Sequence, residues 1–109
     1  MAPFIWTQAL LPALERAKGS VVNISSIHAK LTKKNFVAYA TSKAALSGMT
    51  RALAVDVGSR VRVNAIEPAA IETEMLKNGF EDKPELYSRL QKCHPAQRIG
   101  LPVEVARLA

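Results

Sequence analysis

The chain has 109 residues, of which 49% are hydrophobic and 22% charged, a globular composition that excludes a disordered or collagen-like chain. Its one cysteine, Cys93, excludes a disulfide-stapled secreted domain, so we expect a cytoplasmic protein in which residues 1–109 form a single domain. The net charge of +6 does not indicate a nucleic acid partner, because the basic residues are scattered and their one cluster, Lys30 to Lys34, contains no aromatic residue to stack on a base.

The first predicted element is a helix over residues 3–18. Its apolar residues recur at helical spacing, Pro3 suits a first turn, and Gly19 is placed to stop the helix. The segment does not resemble a secretion signal, because it lacks a basic start and Pro12 interrupts it, so we expect a core-facing helix. No run approaches the roughly 18 consecutive apolar residues of a membrane span, so no membrane partner is expected.

The next three elements are predicted to be a strand, a long helix and a second strand. The run SVVNIS, residues 20–25, has apolar residues on both faces, which is typical of a strand buried in a parallel sheet. Asn35 is a candidate N-cap for an alanine-rich helix over 36–57, and Gly58 sits where a C-terminal cap belongs. The run RVRVNAI, residues 60–66, predicts the second strand. This order indicates a right-handed crossover between two parallel strands, so the predicted fold class is α/β.

The remaining residues are predicted to form a loop and three helical stretches. EPAAIETEM leads into a short helix, KPELYSRLQKC is helical with Pro84 early in it, and LPVEVARLA begins like a helix. Cys93 and His94 are neighbours only in sequence, and no zinc-ligand spacing is present. We therefore expect an incidental thiol and no metal site.

Four side chains of the segment from Asn23 to Lys43 could carry chemistry. Tyr39 and Lys43 are four residues apart on the predicted long helix, so they share one face, and a neighbouring ammonium stabilises a phenolate. Tyr39 could then exchange a proton with an alcohol or carbonyl oxygen. Ser25 and Ser26 end the first strand, where open α/β sheets bind ligands, and a hydroxyl there could bond the same oxygen. The structural alternatives are a half-buried tyrosine beside a solvated lysine, and two turn-forming serines.

Four motifs in the same order resemble those of the short-chain dehydrogenases/reductases. GSVVNISS is similar to the strand that ends in the family's catalytic serine, and YATSK to its Tyr-x-x-x-Lys motif. RVRVNAIEPAAIETEM resembles the following strand and cofactor loop, and HPAQRIGLPVEVARLA a later segment. Ser26 lies thirteen residues before Tyr39, which is the family's spacing, so the resemblance selects Ser26 rather than Ser25.

The resemblance implies a partial Rossmann-like fold and the NAD- or NADP-dependent interconversion of a small-molecule alcohol and a ketone. Tyr39 would transfer the proton, Ser26 would orient the substrate oxygen, and Lys43 would tune the tyrosine. Tyr39 and Lys43 would also contact the nicotinamide ribose.

The resemblance also implies cofactor contacts from the loop after the second strand. The backbone near Pro68 and Ile71 and the Thr73 hydroxyl would face the nicotinamide carboxamide. A strand-ending proline and a helix N-cap at Thr73 are the structural interpretation of the same residues, and both interpretations can hold at once.

The chain also departs from the family's pattern. Its five glycines are dispersed, so no glycine-rich loop can cradle the cofactor pyrophosphate, and the family's catalytic asparagine would align before Met1. Pro68 is followed by Ala69 where the family has glycine, and the final strand of the fold is absent. We therefore expect a truncated catalytic-half segment that is weakly active or inactive by itself.

An alternative from a different class is a catalytically silent module that pairs with itself or with a related subunit. A monomer would be only marginally stable, because its two apolar strands would have open edges. We therefore expect a homo-oligomer that assembles through the helices at 3–18 and 36–57. A measurement of cofactor binding would distinguish the enzyme hypothesis from the silent-module hypothesis.

Overall fold

The computed structural model describes residues 2–109 as helices and strands in two compact units, one that ends at Glu67 and one that spans Pro68–Ala109. In chain order the elements are α1 (Ala2–Arg16), β1 (Ser20–Ile24), a 3₁₀ turn (Ile27–Ala29), α2 (Val37–Val57), β2 (Arg62–Ile66), α3 (Glu74–Gly79), α4 (Pro84–Lys92) and α5 (Pro102–Leu108). Every predicted element is present, with bounds that differ by one or two residues.

The two strands pair in parallel. Ser20 lies opposite Arg62 and Ile24 opposite Ile66. The Ser25 N–H donates to the Ile66 carbonyl oxygen at 2.8 Å, which continues the pairing one residue past the end of β1. The carboxyl ends of both strands therefore lie side by side at one edge of the sheet, and the predicted α/β class is confirmed.

Helix α2 packs on one face of this sheet through a small apolar core and several polar contacts. Val57, Val61 and Val63 are buried. The Asn23 amide donates to the Thr50 hydroxyl at 2.9 Å, which joins β1 to the middle of α2. The half-buried apolar residues that pack against the three valines are Leu11, Leu14, Val21, Leu53 and Ala54.

The other face of β1 is open. Val22 and Ile24 are 37% and 45% exposed, although the apolar run is typical of a strand covered on both faces. Side chains alternate across a strand, so Val21 and Asn23 turn to α2 while their neighbours turn away. One covered face is enough to give the first unit its core.

Helix α1 begins at Ala2 and ends at Arg16, not at residues 3 and 18. The stop is also different from the expected one, because Lys18 and not Gly19 adopts the left-handed backbone, with φ 49°. The Gly19 N–H donates to the Leu14 carbonyl at 2.8 Å and the Lys18 N–H to the Glu15 carbonyl at 3.2 Å. This is the Schellman pattern of a helix C-terminus, with a lysine at the position that usually holds glycine.

Helix α2 begins at Val37 and ends at Val57, and only its N-terminal end differs from prediction. Phe36 occupies the N-cap position without a side-chain cap, while Asn35, the predicted cap, has a left-handed backbone with φ 65°. Gly58 is the C-cap residue, as predicted, and has a right-handed conformation with φ −60°.

The second unit is organised around one short parallel bridge. Ile71 pairs with Gly100, and the Glu72 N–H donates to the Gly100 carbonyl at 2.8 Å. Ile99, beside the bridge, is the buried hydrophobic residue of this unit. The Glu104 carboxylate accepts the Leu101 N–H at 2.8 Å and caps α5. Among the described residues, every helix is too short or too polar to span a lipid bilayer.

Candidate active site

Ser26 lies immediately after β1, at the carboxyl edge of the sheet. Its hydroxyl oxygen accepts the His28 N–H at 3.1 Å and its carbonyl accepts the Ala29 N–H at 3.0 Å, so Ser26 caps the 3₁₀ turn. The side chain is buried. Because the oxygen accepts from the backbone, the hydroxyl proton can point to another oxygen.

Lys43 joins α2 to the end of β1. Its ammonium donates to the Ile24 carbonyl at 3.0 Å, two residues before Ser26 in the chain. The same ammonium lies 5.7 Å from the centroid of the Tyr39 ring, one helical turn away. The structure thus brings Tyr39 and Lys43 together and holds them at the edge of the sheet where Ser26 lies.

Two further rings pack around Tyr39. The Phe36 ring lies 5.3 Å from the Tyr39 ring and the His28 ring 6.1 Å from it, centroid to centroid, both edge to face. His28 and Phe36 contact each other at 4.8 Å, and the Lys33 ammonium lies 4.2 Å above the Phe36 ring. Edge-to-face packing of this kind fixes the tilt of a ring. Sequence reasoning interpreted His28 only as a surface or capping histidine, although its position two residues after Ser26 was visible.

Ser25 has a different set of contacts from Ser26. Its hydroxyl lies 3.1 Å from the Lys43 carbonyl oxygen and 2.8 Å from the Ser47 hydroxyl, and both serines are buried. Ser47 donates to the Glu67 carboxylate at 2.7 Å. The Ser25 side chain is therefore taken up by bonds to helix α2.

Glu67 follows β2 and closes this group of contacts. Its second carboxylate oxygen lies 3.4 Å from the Lys30 ammonium. The hydrogen bond from Ser47 is the largest cause that lowers the pKa of Glu67 below its ordinary value. Desolvation, the second-largest effect, opposes it, and Lys30 and Arg51 lower the pKa further. Sequence reasoning missed both Ser47 and Glu67, since no motif joins residues twenty positions apart.

The predicted cofactor residues Pro68, Ile71 and Thr73 lie in the second unit. The Thr73 hydroxyl accepts the Leu76 N–H at 3.3 Å and is the N-cap of α3, as its structural interpretation predicted. Ile71 is held by its bridge to Gly100. Contacts of these residues with a cofactor remain a prediction.

No cluster of metal-ligating side chains occurs within residues 2–109. Cys93 is an exposed free thiol, and the ring of His94, just past the end of α4, contacts the Leu90 carbonyl at 2.8 Å. The contacts of Cys93 and His94 therefore do not indicate a shared site.

Comparison with known proteins gives matches along the whole chain. A family profile described as enoyl-(acyl carrier protein) reductase matches residues 1–109. An uncharacterized oxidoreductase of Mycobacterium tuberculosis is 44% identical over 91 residues, which are 84% of this chain and 34% of that protein. The 7alpha-hydroxysteroid dehydrogenase of Escherichia coli is 36% identical over 108 residues, which are 97% of this chain and 42% of that protein. The chain thus spans from 34% to 42% of the length of these curated relatives.

Solved structures show the same similarity. The ligand-free aldohexose dehydrogenase of Thermoplasma acidophilum superposes with a TM-score of 0.86 at 36% identity, over 94% of this chain and 44% of its own. ElxO with NADP bound superposes with a TM-score of 0.78 at 27% identity, over 93% of this chain and 42% of its own.

Proposed function

The chain belongs to the short-chain dehydrogenase/reductase family, and we propose that it carries the acid-base residues of a cytoplasmic, nicotinamide-dependent oxidoreductase that interconverts an alcohol and a ketone. Its small-molecule substrate presents a hydroxyl or carbonyl oxygen to Tyr39. The relatives act on hydroxyl-bearing compounds by name, a hydroxysteroid and an aldohexose, and this supports an alcohol as one of the two reactants.

The observation that carries this proposal is the position of the Lys43 ammonium, 5.7 Å from the Tyr39 ring and bonded to the end of β1. A free phenol loses its proton only near pH ~10, so an unassisted tyrosine is a poor base in neutral solution. A fixed positive charge stabilises the phenolate relative to the phenol. Tyr39 can then accept a proton from an alcohol or return one to a carbonyl oxygen.

Ser26 supplies the second polar group. Its oxygen accepts the His28 N–H, so its own proton is directed away from the 3₁₀ turn and is available to the substrate oxygen. A hydroxyl held by the backbone in this way stabilises charge on that oxygen as the proton moves. Tyr39 would therefore move the proton while Ser26 holds the oxygen in place.

The residues present fit the nicotinamide end of NAD or NADP. An ammonium has three N–H donors and Lys43 uses one of them on Ile24, so the others suit ribose hydroxyls. The Pro68 and Ile71 backbone and the Thr73 hydroxyl would face the carboxamide. The cofactor would supply hydride exchange with the substrate carbon. NADP bound to ElxO supports a cofactor of this class.

The residues present fit the pyrophosphate end of the cofactor less well. No glycine among residues 2–109 has a positive φ, and the five glycines of the chain are dispersed. The described residues therefore include no glycine-rich turn that would bring several backbone N–H groups to a phosphate. The proposal accordingly assigns only nicotinamide contacts to these residues.

Cofactor titration tests the proposal directly. The chain has one tryptophan, so its fluorescence and the heat of mixing can follow the addition of NADH and of NADPH. We expect saturable binding of one of them, and turnover of a secondary alcohol that Tyr39→Phe lowers by about 10²-fold or more while binding is retained. Tyr87→Phe is the matched control, since it removes the same atom from the second unit. An absence of saturable binding with both cofactors, or equal turnover in the two variants, would contradict the proposal.

We also propose that copies of the chain associate through α1 and α2. This association is expected whether the chain is an enzyme or a catalytically silent module. Several large apolar side chains of α1 are exposed in the described structure. Trp6 is 65% exposed, Ile5 62% and Leu10 47%. On α2, Val37 and Val55 are 82% and 85% exposed. Large apolar side chains left exposed on both helices support these helices as sites of protein association.

A further inference from the structure

We propose that Glu67 is a positioning residue for the Tyr39 and Lys43 pair. Through the hydroxyls of Ser47 and Ser25, its carboxylate holds the turn of α2 that carries Lys43 against the carboxyl ends of both strands. The roles of Tyr39 and Lys43 in this inference rest on the proposed function, whereas the contacts of Glu67 do not.

The contacts form a continuous chain of oxygen atoms from β2 to α2. Ser47 Oγ donates to Glu67 Oε1 at 2.7 Å and lies 2.8 Å from Ser25 Oγ. Ser25 Oγ lies 3.1 Å from the carbonyl oxygen of Lys43. Ser25 and Ser47 are only 4% and 3% exposed, so solvent water has little access to this chain of contacts. We call these three contacts the hydroxyl relay.

Proton counting shows that the carboxylate sets the direction of the relay. The relay has three contacts but only two hydroxyl protons. Ionised Glu67 takes the Ser47 proton, so the Ser25 proton must serve both Ser47 and the Lys43 carbonyl. The 3.1 Å contact to that carbonyl is the longest of the three, as expected for a shared proton. Without the carboxylate, Ser47 has no ionised acceptor at the end of β2, and the bond that holds this turn of α2 to β2 is weakened.

The relay affects Lys43 because its side-chain ammonium and its backbone carbonyl are both bonded to the end of β1 or to the residue that follows it. Its ammonium donates to the Ile24 carbonyl and its own carbonyl accepts from Ser25, the next residue along the strand. The Ser25 N–H in turn donates to the Ile66 carbonyl, directly before Glu67. The relay therefore closes a ring of bonds through β1, α2 and β2, and a break in that ring loosens the ammonium beside Tyr39.

The charged groups that face Glu67 come from two elements. Lys30, in the loop after the 3₁₀ turn, pairs with it at 3.4 Å, and Arg51 of α2 acts at longer range. The Lys30 side chain is 72% exposed, and pairs of that kind add little stability. Lys30→Ala therefore removes a charge next to Glu67 and leaves the relay intact, which makes it the matched control.

Residue-resolved labelling of lysines with an amine-specific reagent, read by mass spectrometry, tests the inference without any cofactor. We expect Glu67→Gln and Ser47→Ala each to speed the labelling of Lys43 by about three- to tenfold, the range for loss of one hydrogen bond. Lys18 and Lys92, far along the chain, serve as internal references and should label at unchanged rates. Lys30→Ala should leave the Lys43 rate unchanged.

The inference is overturned if Lys43 labels at the parent rate in both relay variants, or if all lysines speed up together. Failure of cofactor binding would leave these outcomes unaffected, so it bears on the proposed function alone.

Discussion

Glu67 and Glu104 both have a lowered pKa, and at Glu104 the cause lies within one short segment. Arg98 donates to both oxygens of the Glu104 carboxylate, at 2.8 and 2.6 Å, and the Leu101 N–H donates to one of them. These bonds lower the pKa of Glu104 to about 2, with the side-chain bond from Arg98 as the largest cause. A two-pronged guanidinium contact of this kind is stronger than a single ion pair.

We predict that Arg98→Ala raises the pKa of Glu104 most of the way from about 2 to its ordinary 4.5. Because the pKa of the folded state is the lower one, the pair stabilises the fold above about pH 4.5 and loses that effect as the pH falls through about 2. Carbon-13 NMR of the carboxyl group measures the change. Arg107→Ala, on the same helix, is the control, because Arg107 acts on Glu104 only through its charge. Equal shifts in the two variants would show that charge, and not the hydrogen bonds, sets the pKa.

The residues of the candidate site differ in the sequence separation from the residues that they contact. Contacts between residues close in sequence could be predicted, and contacts between distant residues could not. Tyr39 and Lys43 are four positions apart on one helix, so helical geometry alone placed them together. Ser47 and Glu67 are twenty positions apart, and their bond exists only because α2 packs on the sheet. Ser26 was chosen over Ser25 by family spacing, and the structure adds a reason, since Ser25 is already bonded to α2.

At the level of the elements, segments that connect the helices and strands carry backbone strain that sequence did not reveal. Lys18, Asn35 and Gln97 have left-handed backbones with φ between 49° and 65°, and no described glycine does. The helix stop was assigned to Gly19 because glycine usually takes this conformation, but the Schellman bonds fall one residue earlier. A pattern of residue types locates a helix end to within a residue or two, and the choice between neighbours depends on bonds that form only in the fold.

We predict that Lys18→Gly stabilises the protein by about 0.5–1 kcal/mol. The left-handed conformation costs a lysine roughly 1–2 kcal/mol, and the greater freedom of glycine in the unfolded chain offsets part of that gain. Urea unfolding should show a higher midpoint with an unchanged slope. Asn35→Gly is the comparison, because asparagine tolerates the same conformation and little should be gained. An equal gain at both positions would show that strain at Lys18 is not the cause.

For the whole molecule, the buried apolar residues are few and small, whereas several large apolar residues are exposed. In the described residues of the first unit, the buried hydrophobic residues are three valines, Val57, Val61 and Val63. A core of that size supplies little stabilisation against the entropy of ordering the chain. Trp6 and Leu10, which are much larger, stay exposed one helical turn apart on α1. Burial of such side chains in an assembly would add apolar area that the first unit does not bury by itself.

We therefore predict that the protein self-associates and that Leu10→Glu prevents it. Sedimentation velocity should show assemblies for the parent chain and monomers for the variant, because a carboxylate on this face would be buried without a partner. Trp6, the one tryptophan, reports the same event: its emission should shift to shorter wavelength with rising concentration in the parent and not in the variant. Leu108→Glu is the matched control, since Leu108 is 73% exposed on α5 and the charge change is identical. A stable monomer of the parent chain at all concentrations, or equal loss of association in the two variants, would rule out α1 as the contact surface.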